Sequence, residues 1–252
     1  MRGLRALAIA AGLIALWQAV VWLTDAPSYI LPGPGQVLTV LWHKRALVLP
    51  HAAHTAAEIL LGLAGGTLLG ALSALVMTAF RPARRWLLPV LVVSQAIPVF
   101  ALAPILVLWV GYGMASKVVM AILIIYFPVT AAFYDGLRRT DPGWLDLART
   151  MGADGISQLR LIRLPAALPA FASGLRIATA VAPIGAVVGE WVGSSAGLGY
   201  LMLHANGRMQ IDLMFAALLV LATLAVALYA LVDISLRKAL PWQPETLDTL
   251  PA

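Results

Sequence analysis

Cysteine is absent from the 252 residues, which excludes a disulfide framework and any thiolate-bound metal. Charge is scarce as well. Asp, Glu, Lys and Arg make up 11% of the chain, against about 25% in an ordinary soluble domain. No Pro/Ser-rich or low-complexity stretch divides the chain, so it reads as one domain over 1–252. A GxxxxGK[ST] phosphate loop is also missing. The lysines, Lys44, Lys117 and Lys238, lack the glycines that such a loop requires. The chain is therefore expected to carry no ATPase site of its own and to be no enzyme. His51 and His54, three residues apart, have no third ligand close in sequence, so no metal site is expected.

What is present is apolar. Hydrophobic residues make up 62% of the chain and the mean hydropathy is +0.92. Uncharged runs predict an all-α membrane protein of six spans, about 6–24, 59–80, 86–112, 117–135, 169–192 and 213–233. The first follows Arg2 and Arg5 and resembles a signal peptide, but its length favours a retained helix. The third run, Trp86 to Ser116, is too long for one straight span and too short for two. It is expected to be a single span kinked or ended by Pro89, Pro98 and Pro104.

The net charge of +6 suits nucleic acid in a soluble protein; here its distribution gives a simpler cause. With the N-terminus inside, twelve Lys and Arg residues fall on cytoplasmic segments and four, Lys44, Arg45, Lys117 and Arg208, on outer ones. That asymmetry predicts a membrane protein with both termini in the cytoplasm, and no nucleic-acid partner.

The longest polar interruption is 140–165. Asp141 can cap a helix that begins with Pro142, and Gly152 can stop it. Asp154 can cap a second short helix, expected to end before Leu164-Pro165. Leu145, Ala148, Met151, Ile156, Leu159 and Ile162 lie among the charges, as a docking surface for a partner protein would require. A solvated connection between spans remains the plain alternative.

Within this segment, Asp146-Leu147-Ala148, Gly152 four residues on, and Ile162-Arg163-Leu164-Pro165 resemble the Glu-Ala-Ala signature of ATP-binding-cassette importer permeases. The spacing matches at each step; Asp146 stands for Glu and Leu147 for the first Ala. Ile30-Leu-Pro-Gly-Pro34, Ala96-Ile-Pro98-Val-Phe-Ala101-Leu-Ala-Pro104 and Gly197-Leu-Gly-Tyr200 are similar to the permeases of the sulfonate, nitrate and taurine group. The resemblance implies a MetI-like permease fold and ATPase coupling through Asp146, Ala148, Gly152, Ile162, Leu164 and Pro165. It also implies a homodimer in the lipid of a bacterial cytoplasmic (inner) membrane, cytoplasmic ATPase subunits that use ATP with magnesium, and a periplasmic or lipid-anchored binding protein. The stretch from Gly189 to Gln210 resembles the branch assigned to thiamine-precursor pyrimidines and riboflavin. A hydroxymethylpyrimidine-type substrate is expected ahead of riboflavin, sulfonates, taurine or nitrate.

Four residues are candidates for the translocation pathway: Gln95 and Pro98 at a possible helix break, and the ionisable Arg176 and Glu190 inside the fifth span. The rival class is an ion-coupled secondary transporter, which needs an internal repeat and buried acids. The sequence shows no convincing repeat, and apart from Glu190 the spans are expected to lack buried acids.

Overall fold

The computed structural model describes residues 2–243, with side chains from Ala8 onward. Met1 and residues 244–252 of the expected 1–252 domain lie outside the described residues. The helices are α1 (Arg2–Thr24), α2 (Pro34–His43), α3 (Arg45–Ala79), α4 (Arg81–Ala96), α5 (Val99–Val110) and α6 (Met114–Arg138). They continue with α7 (Pro142–Thr150), α8 (Gly155–Gln158), α9 (Leu164–Gly193), α10 (Leu198–Gly207) and α11 (Ile211–Ala239). Leu159–Arg163 is a π-helical turn that joins α8 to α9.

Among the described residues, four helical stretches are long and apolar enough to cross a membrane: Arg45–Ala79, Met114–Arg138, Gly155–Gly193 and Ile211–Ala239. Of the two remaining expected spans, 6–24 corresponds to α1, whose described apolar part is Ala8–Thr24. The other, 86–112, differs from expectation. It is two helices, α4 and α5, meeting at 105°. Pro98 removes one amide donor and forces its predecessor out of the helical region. Ile97 is accordingly extended at φ −87° and ψ 120°. Pro89 and Pro104 stay inside α4 and α5, so the break belongs to Pro98 alone.

The core is the contact of α6 with α3 on one side and α9 on the other. Ile59 and Leu63 of α3, Ala121, Ile125 and Val129 of α6, and Ala178, Ala182 and Ala186 of α9 form one buried cluster. In lipid, apolar side chains gain little by leaving one apolar medium for another, so helices associate by close backbone packing. Glycines permit it here. A Cβ on Gly66 would lie 2.6 Å from Ile125 Cγ2, and one on Gly174 would lie 2.7 Å from the Pro128 carbonyl oxygen.

A second cluster sits at the end where α9 meets α10, with Val48 and Ala52 of α3, Leu198, Leu201 and Ala205 of α10, and Leu213 and Ala217 of α11. A third lies at the opposite end, with Ala74, Met77, Phe133, Leu137 and Ala167, against which Leu159 and Leu164 pack.

Lys117 departs from its assignment to an outer segment. It is 4% exposed, and its Nζ donates to the Gly113 carbonyl at 2.8 Å. Burial is tolerated because that bond occupies the ammonium and Glu58 lies near enough to interact with it electrostatically.

Replacing Gly174 by valine should lower stability by roughly 1–3 kcal/mol, the usual cost of overpacking. Gly35→Ala, with open space around it, should be neutral or stabilising. Thermal unfolding of the two variants in detergent checks the contrast.

Candidate functional sites at the two ends of α9

The first site is the polar interruption. Asp141 caps α7 by accepting from Gly143 N at 2.7 Å, with Pro142 in the first turn. The helix closes on a Schellman turn: Ala153 N donates to Ala148 O and Gly152 N to Arg149 O, both at 2.9 Å. Gly152 takes φ +82° there, which a side chain strains. Asp154 then caps α8 by accepting from Ser157 N at 2.9 Å. That hydrogen bonding holds the fully exposed Asp154 carboxyl below the usual carboxylate range.

The second short helix does not end before Leu164-Pro165. It runs through the π turn into α9, giving one continuous stretch from Gly155 to Gly193. Leu164 N bonds to the Leu159 carbonyl five residues back. This wider turn makes room where the Pro165 ring would otherwise strike a carbonyl of the preceding turn.

Between α7 and the start of α9 lies an apolar groove of about 530 Å³, lined by Trp144, Leu147, Ala148, Met151, Leu161, Ile162, Pro165, Ala166 and Trp242. Met151 is 79% exposed and Leu161 75%. Of the residues expected to couple to an ATPase, Ala148, Ile162 and Pro165 line this groove. Leu164 packs against the cluster beneath it, Gly152 forms the turn, and Asp146 pairs with Arg149 at 2.8 Å on the exposed face. Leu145, expected on the docking surface, points inward and is buried. Trp144 and Leu161 escaped the sequence reading; the spacing Trp144, Leu147, Ala148, Met151 along one helix face was the available signal.

The pathway candidates fall in three places. Gln95 and Pro98 are exposed at the α4–α5 break. Arg176 is half-buried, and its Nε donates to Asp233 Oδ1 on α11 at 2.6 Å. The same carboxylate holds Arg237 at 2.8 Å. Glu190 lies fourteen residues beyond Arg176, about 21 Å farther along α9 at 1.5 Å per residue.

Glu190 forms the second site. It is 1% exposed. Its Oε1 accepts from Thr55 Oγ1 at 2.6 Å, and its Oε2 accepts from Gly199 N at 2.5 Å and Tyr200 N at 3.3 Å. Thr55 Oγ1 in turn accepts from Leu198 N at 2.7 Å, and His51 Nδ1 accepts from Gly197 N at 3.0 Å. Four successive backbone N–H groups that open α10 are thus held by side chains of α3 and α9. A helix start leaves such donors without intrahelical partners and carries partial positive charge, so a buried carboxylate suits it.

Glu58, 2% exposed, lies beside Glu190 and Lys117; its Oε2 has no hydrogen-bond partner among the described residues. The sequence reading missed Thr55 and Glu58. Glu58 directly precedes the uncharged run from Ile59, where a boundary acid looks like an ordinary helix end. Gly197 has φ +110°, and a Cβ on it would collide with the Glu190 carboxylate.

Gly197→Ala should therefore displace Glu190 and lower stability by roughly 2–5 kcal/mol, adding backbone strain to unmade buried hydrogen bonds. Gly155→Ala, which meets nothing within 4 Å, serves as control. Unfolding in detergent measures both.

Comparison with known proteins places these features. The chain is 59% identical to a probable ABC transporter permease protein of Haemophilus influenzae over 92% of this chain and 95% of the relative. It is 38% identical to the formylaminopyrimidine transport permease protein ThiX of Halalkalibacterium halodurans over 92% of each. The fold is shared with the MetNI methionine ABC transporter in an inward-facing conformation, at TM-score 0.67 and 19% identity, over 79% of this chain and 97% of that one. The family of binding-protein-dependent transport system inner membrane components matches residues 66–240. With that match spanning most of its helical core, the chain belongs to this family: it is a multi-pass inner-membrane permease subunit of an ABC importer.

Proposed function

We propose that this permease passes a hydroxymethylpyrimidine-type thiamine precursor into the cytoplasm, working as a homodimer with cytoplasmic ATPase subunits and an extracytoplasmic binding protein. The observation that carries the coupling half of this reading is the groove between α7 and α9. Its rim is exposed and apolar, with Trp144, Leu147, Met151 and Leu161, and its floor is rooted on the core through Leu159 and Leu164. A soluble partner gains affinity from such anchors, and the rooted floor turns contact into leverage on a spanning helix. The charge asymmetry supports a cytoplasmic position for this end. ATP with magnesium is then consumed by the partner ATPase and not by this chain.

Asp146, Ala148, Gly152, Ile162, Leu164 and Pro165 divide the task. Ala148, Ile162 and Pro165 meet the partner, Gly152 sets the turn, Leu164 fixes the floor, and Asp146 with Arg149 orients the outer face of α7. Substrate passes near the α4–α5 break, where Gln95 is exposed beside Pro98. Arg176, bound to Asp233, braces α9 against α11. The 38% identity to a formylaminopyrimidine permease supports the pyrimidine class.

Gly152→Asp should abolish substrate uptake while membrane abundance stays at the wild-type level. Met151→Asp should sharply reduce co-purification of the ATPase. Immunoblots of membranes, uptake assays and affinity pull-down read these outcomes; normal uptake by Gly152→Asp would remove the coupling role. Calorimetry of the cognate binding protein should show saturable heat with hydroxymethylpyrimidine and none with taurine or riboflavin. Tight sulfonate binding would overturn the substrate assignment.

A further inference from the structure

Glu190 sits in the translocating subunit with its carboxylate fully engaged by protein donors. Three donors reach its two oxygens, all within the low-dielectric interior where hydrogen bonds are strong and costly to leave unmade. Its partners belong to α3 and to the first turn of α10. The chain turns sharply on either side of α10: Gly197 has φ +110° and Met209 φ +58°, both in the left-handed region. The helix is held at its start by these side-chain bonds and along its buried face by the packing of Leu198, Leu201 and Ala205 against α3 and α11. Its far end is open, with Leu203, Asn206, Arg208 and Met209 exposed. Glu190 belongs to α9, which is unbroken from Leu164 to Gly193, about 45 Å at 1.5 Å per residue. The opposite end of that helix contributes Pro165 and Ala166 to the apolar groove.

We propose that Glu190 is a positioning residue for transport: with Thr55 it staples α10 to α3 and α9, so that a binding protein docking at the exposed end of α10 acts on α9 and, through it, on the groove. The proposal rests on the importer reading above, with α10 on the outer side. Transmission needs a rigid joint at each end of a stiff element. The Schellman turn and π turn supply one joint, and the staple supplies the other. Without the staple, α10 would keep only its apolar packing against α3 and α11, which lacks directional bonds to α9, and part of a contact at its tip would be absorbed there.

Two measurements separate the staple from the importer reading. The chain lacks cysteine, so spin labels can be placed at Leu203→Cys on α10 and Leu72→Cys on α3 in the full-length permease, diluted with excess unlabelled chain in lipid nanodiscs so that each assembly holds one labelled protomer. The interlabel distance should be a single narrow distribution in the otherwise unchanged chain. Thr55→Val and Glu190→Gln should broaden it at least twofold, and Thr55→Ser should restore it. Unchanged narrow distances in both variants overturn the staple, whatever the transport assays give.

The second measurement uses the reconstituted complex with its ATPase and liganded binding protein. Thr55→Val should keep basal ATP hydrolysis and lose about tenfold in the increment produced by the binding protein; Thr55→Ser should recover that increment. An increment equal to wild type, or basal and stimulated rates falling in parallel, overturns the positioning role. If the unmodified complex shows no stimulation by its binding protein, the importer reading fails, while the label distances still decide the staple.

Discussion

Ala121 of α6 lies between Gly62 of α3 and Gly185 of α9. A Cβ on Gly62 would collide with the Ala121 methyl, and one on Gly185 would come within 2.8 Å of the Ala121 backbone. Three helices share this contact, and the rest of the molecule is arranged around it. In a bilayer, helices have no hydrophobic reason to prefer each other to lipid, so small residues that let backbones approach supply the attraction. The same contact fixes the rotation of each helix. It turns Thr55 and Glu58 of α3 and Glu190 of α9 inward, where donors pre-placed on α3 and α10 satisfy the Glu190 carboxylate.

Rigidity follows from that arrangement. α9 is gripped by α6 along its length, and Arg176 ties it to Asp233 of α11. The helix therefore behaves as a strut with a polar joint at one end and an apolar groove at the other. The joint is made of hydrogen bonds, which are directional and register the position of α10. The groove is made of exposed tryptophan, leucine and methionine, which favour contact without dictating its fine geometry. On the coupling proposed above, this division gives specificity of alignment within the membrane protein and a broad adhesive face toward the partner.

Much of the fold was legible because helix signals are local. Asp141, Pro142, Gly152 and Asp154 each act through backbone groups within a few residues, so their roles at α7 and α8 could be read directly. Pro98 was recognisable as a disruption, but not as a 105° turn, since the angle depends on what α4 and α5 pack against. The continuation of α8 into α9 was not legible. The rule that Pro165 stops a helix holds for a regular α-turn, and the π turn at Leu159–Arg163 changes the premise. Leu145 and Trp144 are neighbours of similar hydrophobicity, and only the seat of α7 on the bundle decides which one faces the groove.

The sequence by itself determined that this is an apolar multi-helix chain with an uneven distribution of positive charge and one capped polar interruption, because composition, hydropathy and capping need no knowledge of distant contacts. Only the tertiary structure decided what the buried charges do. Glu190 and Thr55 are 135 residues apart in the chain and 2.6 Å apart in space. Nothing local to either residue encodes the other. Their pairing arises because glycines on α3 and α9 let both helices close on α6, which brings a hydroxyl, a carboxylate and the free amides of a helix start into one dry pocket.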